Sequence, residues 1–501
     1  MTLRADVLGG NITGPKGAGA ELAALVATRD PEKVLLGWFG EDALAQAARA
    51  RSPSDILRAA LDRDVAALDA MISAQLDAVL HHPRLRRLEG AWRGLAWLVE
   101  RLPASSGRVR LKLLTARWTE ICRDLERAIE FDQSQMFRKI YEEEFGTAGG
   151  EPFGLLACDY ELRHAPAPDH PTDDVAAITA LASIAAAAFA PMIFAASPAL
   201  VGLDSFAEAA PAFDLADVMK RPEHARWRAA SVVEDLRFIG VVLPRLLGRP
   251  PWPDDGSRAD RFRYRGHAAG PAQRVWMSAV YAMAAAAIRA FDRNSWPGEV
   301  RGAEPQDEAV GGVIDALPVE HFASDPPRGA PPRAPLDLCL TDEQERQISE
   351  GSLIPLSALE GIAEASFGAL PSLHRPSRMT TAIADANQAL SSQINTLLCV
   401  SRFAHCIKLM GRDMVGSFKD AEEIERTLQR WLEGFVSGLG SGGPEVTARY
   451  PLLEARVEVR ERRGRPGVFG CTVHMRPHHQ LDELGAAFRL VTEFTPRRAA
   501  A

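Results

Sequence analysis

The sequence predicts an α/β protein, on three observations. Helical segments alternate with short, wholly apolar strands through the middle of the chain, the pattern of mixed sheets flanked by helices. The C-terminal part carries longer strands with period-two alternation about a Gly/Pro turn, a β-hairpin. The chain has 501 residues, 47% hydrophobic and 25% charged, enough apolar material for more than one packed unit.

Residues 1–52 read as a mobile arm with two short helices. In "GAELAALVATRDPEKV", Leu22, Leu25 and Val26 share a helical face, and Asp30-Pro31 ends the helix. From Ser52, "SPSD" offers an N-cap, a first-turn proline and an acid. Leu57, Leu61, Val65, Leu68, Ile72, Leu76 and Val79 then recur at helical spacing until Pro83. "RLRRLEGAWRGLAWLVERL" adds Leu85, Leu88, Trp92 and Leu95, so the two helices are expected to pack as a hairpin.

After Gly107, "RVRLKLL" alternates like a strand and "TARWTEICRDLERAI" reads as a helix. Another helix, capped by Asp132, fills "EFDQSQMFRKIYEEEF". Strand-like "FGLLACDYEL", a helix over 173–190 and the strand "MIFAAS" follow. Further helical segments reach "EHARWRAA", before the strand "RFIGVVLP" and a helix in "QRVWMSAVYAMAAAAIRAF". These make an α/β domain over 53–301.

Residues 302–337, ending "PPRGAPPRAPLD", read as an extended surface connection. A C-terminal domain over 338–501 begins with helices in "ADANQALSSQINTLLCVSRFAHCIKLM" and "DAEEIERTLQRWLEGFV". It ends in the hairpin strands "LEARVEVRERR" and "VFGCTVHMRP" about "GRPG", then a third strand, "AAFRLVTEF".

Catalytic signatures are weak. "GTAGGEPFG" has Glu151-Pro152 where a phosphate loop needs lysine and a hydroxyl, and it precedes a strand, so it reads as a structural turn. The six cysteines form no zinc or CxxC spacing and read as reduced, mostly buried thiols. His81-His82 and His478-His479 lack a third ligand at helical spacing. No GxSxG elbow is present. No catalytic, cofactor-binding or metal residue is nominated. The rival reading is an α/β enzyme with a ligand site at the 142–154 loop, using Glu142 to Glu144.

A net charge of -8 argues against nucleic acid as a partner; the basic edge at Arg460, Arg462, Arg463 and Arg465 suits a protein contact or a solubilising role. Trp92, Trp118, Trp227 and Trp276 read as core. The N-terminus lacks the pattern of a cleaved signal peptide. Residues 175–203 are free of charge, but Pro191 and Pro198 interrupt them, so they read as a buried helix and strand without direct membrane insertion.

Five blocks together are specific: "SAQLDAVLHHPRLRRLEGAWRGL", "EFDQSQMFRKIYEEEFGTAGGEPFGLLACDYE", "ASPALVGLDSF", "VSRFAHCIKLMGRDMVGSF" and "YPLLEARVEVRERRGRPGVFGCTVHMRPHHQLDEL". In this order they resemble the large sheath subunit of bacterial type VI secretion systems, the TssC/VipB family, from residue 70 or so to the C-terminus. The resemblance implies a contractile-sheath fold and a structural, non-enzymatic role without cofactors. It implies a small sheath subunit as obligate partner, with contacts to neighbouring sheath protomers, a hexameric inner-tube protein and a baseplate. The sheath would lie in the bacterial cytoplasm, in a membrane-anchored machine, and contract to propel tube and spike outward. An AAA+ unfoldase would recycle it.

The resemblance also implies strand exchange between subunits. The hairpin at 453–476 is the expected platform, with Ala455, Val457, Val459, Val468, Thr472 and Val473 as contact positions; proline at 457 or 459 is expected to remove ladder donors. The helix carrying Leu22, Leu25 and Val26 is the expected contact for the unfoldase or a partner. "RGAEPQDEAVGG" and "FGALPSLHRPSR" depart from the family's usual pattern, which bears on loop contacts and not on the fold.

Overall fold

The structure, a computed structural model, describes residues 2–13, 17–103, 107–147, 149–208, 214–266, 268, 270–302, 309–322, 329–376, 388, 391–415, 420–437, 446, 449–461, 468–477 and 488–494. The chain divides into two units, one comprising 1–86 with 251–274 and the other 87–250 with 275–501.

In the first unit, helices α1 (Leu3–Leu8), α2 (Gly19–Ala27), α3 (Pro31–Phe39) and α4 (Glu41–Ala48) precede the long α5 (Pro53–Leu80). In place of the two expected short helices there are four, and the first and third of them, through Arg4 and Trp38, are tied to one carboxylate. Asp64 of α5 is buried and takes a bidentate pair from Arg4 at 2.7 and 2.8 Å, plus the Trp38 indole at 2.9 Å. The hydrogen bonds from Arg4 hold this carboxyl below its ordinary pKa against the opposing effect of burial. Asp30-Pro31 begins α3, with the Asp30 carboxylate accepting from the Glu32 amide, after α2 has already ended.

That clamp explains a second correction. The buried positions of α5 are Ala60 and Asp64, while Leu61, Val65, Ile72 and Val79 of the expected apolar stripe are exposed. Ser52 makes no side-chain cap, and Pro83 sits at the first position of the next helix, α6 (Pro83–Glu100). Leu88 and Trp92 of the stripe expected on α6 are exposed too.

The buried face of α6 is instead Gly90, Gly94, Trp97 and Leu98, in the second unit. A Cβ on Gly90 would stand 2.1 Å from the Trp276 carbonyl oxygen, and one on Gly94 would stand 2.3 Å from the Tyr281 ring. The two glycines, one turn apart, let the helix backbone lie against those residues.

The second unit continues with α7 (Trp118–Arg127), then α8 (Gln135–Phe137), which widens into a π-helix over Arg138–Gly146. Its cap is Ser134, whose hydroxyl accepts from the Phe137 amide at 3.0 Å; the expected cap, Asp132, lies in the preceding 3₁₀ turn. The chain then alternates through β1 (Leu156–Leu162), α9 (Asp174–Ala188), β2 (Met192–Ala196), α10 (Leu215–Val218), α11 (Ala225–Ala230) and β3 (Ile239–Leu243). Strands β4 (Leu246–Arg249), β5 (Val275–Met277) and β6 (Val313–Ile314) surround α12 (Val280–Asn294). Helix α13 (Asp342–Glu350) leads to β7 (Ile354–Pro355), β8 (Ser357–Ala358) and β9 (Ala365–Ser366).

The central sheet has the order β1-β2-β3-β7 and is parallel throughout. Every residue of β2 and β3 is buried, because alternate side chains enter different cores. Met192, Phe194 and Ala196 join Ile178 and Leu181 of α9 in one core. Ile193 and Ala195 join Val280, Met283 and Ala286 of α12 in the other. The apolar segment 175–203 is thus mainly a buried helix and strand, and among the described residues no helix is long and apolar enough to cross a membrane.

Further expectations are corrected here. "RVRLKLL" is extended but belongs to no strand of the described chain. "QRVWM" supplies β5, paired with β4, and the helix starts only at Val280. The 302–337 stretch is not wholly superficial: Val313, Ile314, Leu317 and Leu336 are buried in the second core. Trp118 and Trp227 are core residues, Trp276 is half-buried and Trp92 is exposed.

The last elements are α14 (Ile394–Val415), α15 (Ala421–Glu433), β10 (Leu452–Glu461), β11 (Phe469–Pro477) and β12 (Phe488–Phe494). His405 of α14 is buried and its Nε2 donates to the Ala188 carbonyl at 2.9 Å, tying α14 to the end of α9. Burial pushes its pKa down to about 4 from 6.5. Between those values the unfolded chain binds the extra proton, so this group's stabilisation is complete above pH 6.5 and is lost as pH falls toward 4. The midpoint of urea unfolding is expected to drop from pH 7 to pH 5, and the drop to shrink in His405→Gln. Equal pH dependence in both proteins would refute this role. Independently, Gly90→Ala is expected to cost about 1–3 kcal/mol in the same assay, through its clash with backbone.

Candidate strand-exchange surface

The three C-terminal strands form one antiparallel sheet in the order β10-β11-β12. Alternation in β10 sends Val457 and Val459 inward, and Cys471, Val473 and Met475 do the same in β11. They meet Ile424, Leu428 and Leu432 of α15, with Phe403 and Trp296 behind them at a ring separation of 4.0 Å. The amphipathic pattern of α15 therefore fixes which face of the sheet is covered.

The edge of β10 away from β11 is closed by backbone bonds to Phe435 and Ser437 at Leu452 and by side chains from Ala455 to Val459. Gln429 of α15 accepts from the Val457 amide at 2.9 Å and donates to the Ala455 carbonyl at 3.1 Å. Glu425, one turn earlier, accepts from the Val459 amide at 2.8 Å. Four residues of helix rise roughly 6 Å and two residues of strand span about 6.8 Å, so the spacings match. The Gln429 carboxamide thus supplies the acceptor and donor that a neighbouring strand would supply.

The nominated positions fall into different environments. Ala455, Val457 and Val459 present their amides or carbonyls to α15, so the donors that proline at 457 or 459 would remove lie on this edge. Thr472 and Val473 lie on the central strand, opposite Glu458 and Val457 on one side and Val491 and Leu490 on the other. Val468 is half-buried and immediately precedes β11. The "GRPG" turn, Arg462, Arg463, Arg465 and His478-His479 lie outside the described residues. Leu22, Leu25 and Val26 are separated from this sheet in sequence and unit: Leu22 and Leu25 are half-buried, Leu25 lying over Gly37, and Val26 is 78% exposed. Sequence reasoning missed Glu425 and Gln429, for which the only signal is an i,i+4 polar pair on a helix beside a hairpin.

The 142–154 loop, where the enzyme reading would place its ligand, is occupied by its own contacts. A Cβ on Gly150 would stand 2.2 Å from the Glu144 carbonyl oxygen, so this glycine lets the chain fold back on the helix end. Glu144 pairs with Lys112 and accepts from the Glu151 amide, and the lysine contact holds its pKa below the ordinary value. That is the state of a structural anchor and not of a proton-carrying acid. Among the described residues, no group of three His, Cys, Asp or Glu is placed to hold a metal ion. The six cysteines are free, with burial pushing Cys122, Cys158, Cys399 and Cys471 up to about 12, far from thiolate reactivity at neutral pH.

Two family models match the chain. Residues 62–374 match the EvpB/VC_A0108 tail sheath N-terminal domain, and residues 383–494 match the EvpB/VC_A0108 tail sheath gpW/gp25-like domain. The type VI secretion system sheath protein TssC1 of Pseudomonas aeruginosa is 34% identical over 441 residues, covering 87% of this chain and 86% of that protein. The chain belongs to the VipB/TssC family of large sheath subunits. Among solved structures, the sheath tail protein of Desulfitobacterium hafniense aligns with 8% identity and a TM-score of 0.30, over 64% of this chain and 60% of that chain. A VipB/TssC protein is a structural sheath component that assembles with other sheath subunits, and this is not an enzyme family.

In this VipB/TssC chain, Gln429→Ala leaves the buried Val457 amide and the Ala455 carbonyl without their partner. A loss of about 1–3 kcal/mol is expected in urea unfolding. A variant as stable as the parent would show that water satisfies this edge equally well.

Proposed function

We propose that this sheath protein pairs with a small sheath subunit and that the heterodimers polymerise around a hexameric inner tube on a baseplate. Contraction of the assembled sheath in the bacterial cytoplasm then propels tube and spike outward through a membrane-anchored machine. The observation that supports this reading best is the β10 edge, closed by only two side chains at Ala455, Val457 and Val459. A neighbour's strand takes the place of Gln429 and Glu425 there, backbone bonds giving affinity and the alternation of Val457 and Val459 giving register. Val468, Thr472 and Val473 belong to the same platform as its turn-proximal and central positions.

Contacts that do not close on themselves produce an open helical assembly, as a tube requires. Contraction is a rigid-body rearrangement of packed subunits whose exchanged strands keep neighbours joined. The energy is stored in the extended assembly, and nucleotide is spent only by an AAA+ unfoldase that recycles the contracted form. Residues 1–52 act as the arm contacting a partner or that unfoldase through Leu22, Leu25 and Val26, Val26 being the most open of the three. Residues 53–301 and 338–501 form two sheath domains joined through 302–337.

Co-expression with the small sheath-like protein encoded beside this chain, followed by electron microscopy, tests the reading. Hollow tubes that require both chains are expected. Discrete particles from two soluble chains would overturn it. Val457→Pro removes one edge donor and is expected to abolish tubes while leaving the circular dichroism spectrum of the chain unchanged. Normal tubes from a correctly folded Val457→Pro protein would refute the edge assignment.

A further inference from the structure

Two histidines stack where the chain of the second unit turns after β1 and before α11. His164 lies two residues beyond β1, and His224 ends the 3₁₀ turn Pro222–His224 that leads into α11. Their ring centres are 4.0 Å apart, with an angle of 20° between the planes. His224 is 2% exposed, and its Nε2 donates to the Leu200 carbonyl at 2.9 Å in the 3₁₀ turn Pro198–Val201, just after β2. His164 is half-buried, so it is the ring of the pair that solvent reaches. The Nδ1 atoms of both rings are buried and, among the described residues, have no hydrogen-bond partner.

That geometry suits two neutral rings. In its charged form His164 carries a proton on both nitrogens, and the one on Nδ1 is then a buried donor without an acceptor. The charge itself is also withdrawn from water and set against a second titratable ring. The neighbouring charges are already engaged. The turn 198–201 has no titratable side chain. On the His164 side, Arg163 is held by Asp169 at 2.8 and 2.7 Å, and His170 by Asp174 at 2.7 Å. On the His224 side, Arg221 faces Asp217 at 3.7 Å and Arg226 faces Asp173 at 2.6 Å, while Lys220 and Glu223 are exposed. Burial first, and the His224 ring second, hold His164 below its ordinary pKa of 6.5, outweighing the Ala199 backbone and Glu223, which favour its charge.

We infer that the His164–His224 stack is a proton-operated latch: with both rings neutral it fastens the turn after β2 to the start of α11, and a proton on His164 releases it. The released His164 takes up a proton near pH 6.5 that the stacked one resists, so the latch is fully closed above that pH and loosens as pH falls below it. Its action is local. Strand β2 is buried along its whole length and has no titratable residue, so acid opens the two turns while the sheet between them stays closed. This separates the latch from His405, whose bond ties α14 to the end of α9. The latch lies within one chain and does not rest on the sheath reading.

Hydrogen exchange read by mass spectrometry on the full chain at pH 7.5 and pH 5.5, corrected for intrinsic exchange, tests it. Amides 199–203 and 223–227 are expected to lose at least about tenfold in protection at the lower pH, while 192–196 change by less than about twofold. His164→Phe keeps a ring in the stack and removes its proton site, so both turns are expected to stay protected at pH 5.5. In the parent, the NMR titration of the His164 Cε1–H signal is expected to share its midpoint with the loss of protection, a comparison that needs no variant to fold. Loss at 192–196 equal to that of the turns would mean general loosening and overturn the latch. A loss in His164→Phe as large as in the parent, or a His164 titration that leaves the turns protected, would overturn it too.

Discussion

Burial of the central sheet on both faces is the constraint on which the rest of the second unit depends. Strands β2 and β3 have no wet side, so each must find apolar partners above and below. That demand places α9 on one face and α12 on the other, and it makes both helices rich in alanine, because close helix-sheet approach leaves little room for larger side chains. The same demand brings α6 to Tyr281 through Gly94, and His405 of α14 to the end of α9. Elements far apart in sequence are thus referenced to one rigid layer.

A rigid layer makes defined edges useful. The Ala455–Val459 edge of β10 is satisfied by Glu425 and Gln429, whereas Arg108–Leu114 is held by its side chains and, among the described residues, has no strand beside it. The first edge is protected from indiscriminate pairing, since an incoming strand must displace two formed side-chain contacts.

The fold class was legible because period two and period 3.6 are direct consequences of burial, as "MIFAAS" and "RVEV" show. Two of the failures have polar causes. The α5 stripe predicted a buried face, but Asp64, bonded to Arg4 and Trp38, determined which side of the helix is covered. The Asp132 cap lost to Ser134, whose hydroxyl reaches the Phe137 amide. The alternation of "RVRLKLL" suggested a strand, but among the described residues the segment is extended without a paired strand, since pairing is a property of the surroundings. At the candidate surface, Val457 and Val459 were legible from alternation, whereas the role of Gln429 required knowing that α15 lies beside that edge.

The glycine-rich loop at 146–154 shows how a motif can mislead about chemistry while marking an important place. Its glycines let the chain fold back at a helix end, where the Glu151 amide donates to the Glu144 carboxylate. Here both carboxylates meet cations of the 108–114 segment, with Lys112 holding Glu144 in its charged form. The pairs are partly exposed, so each adds little to stability by itself. Their consequence is geometric: alternate cations fixed on one side of an extended chain oblige the intervening residues to face the other way. The loop therefore acts through the extended segment it orients, as the structural turn that its sequence suggests.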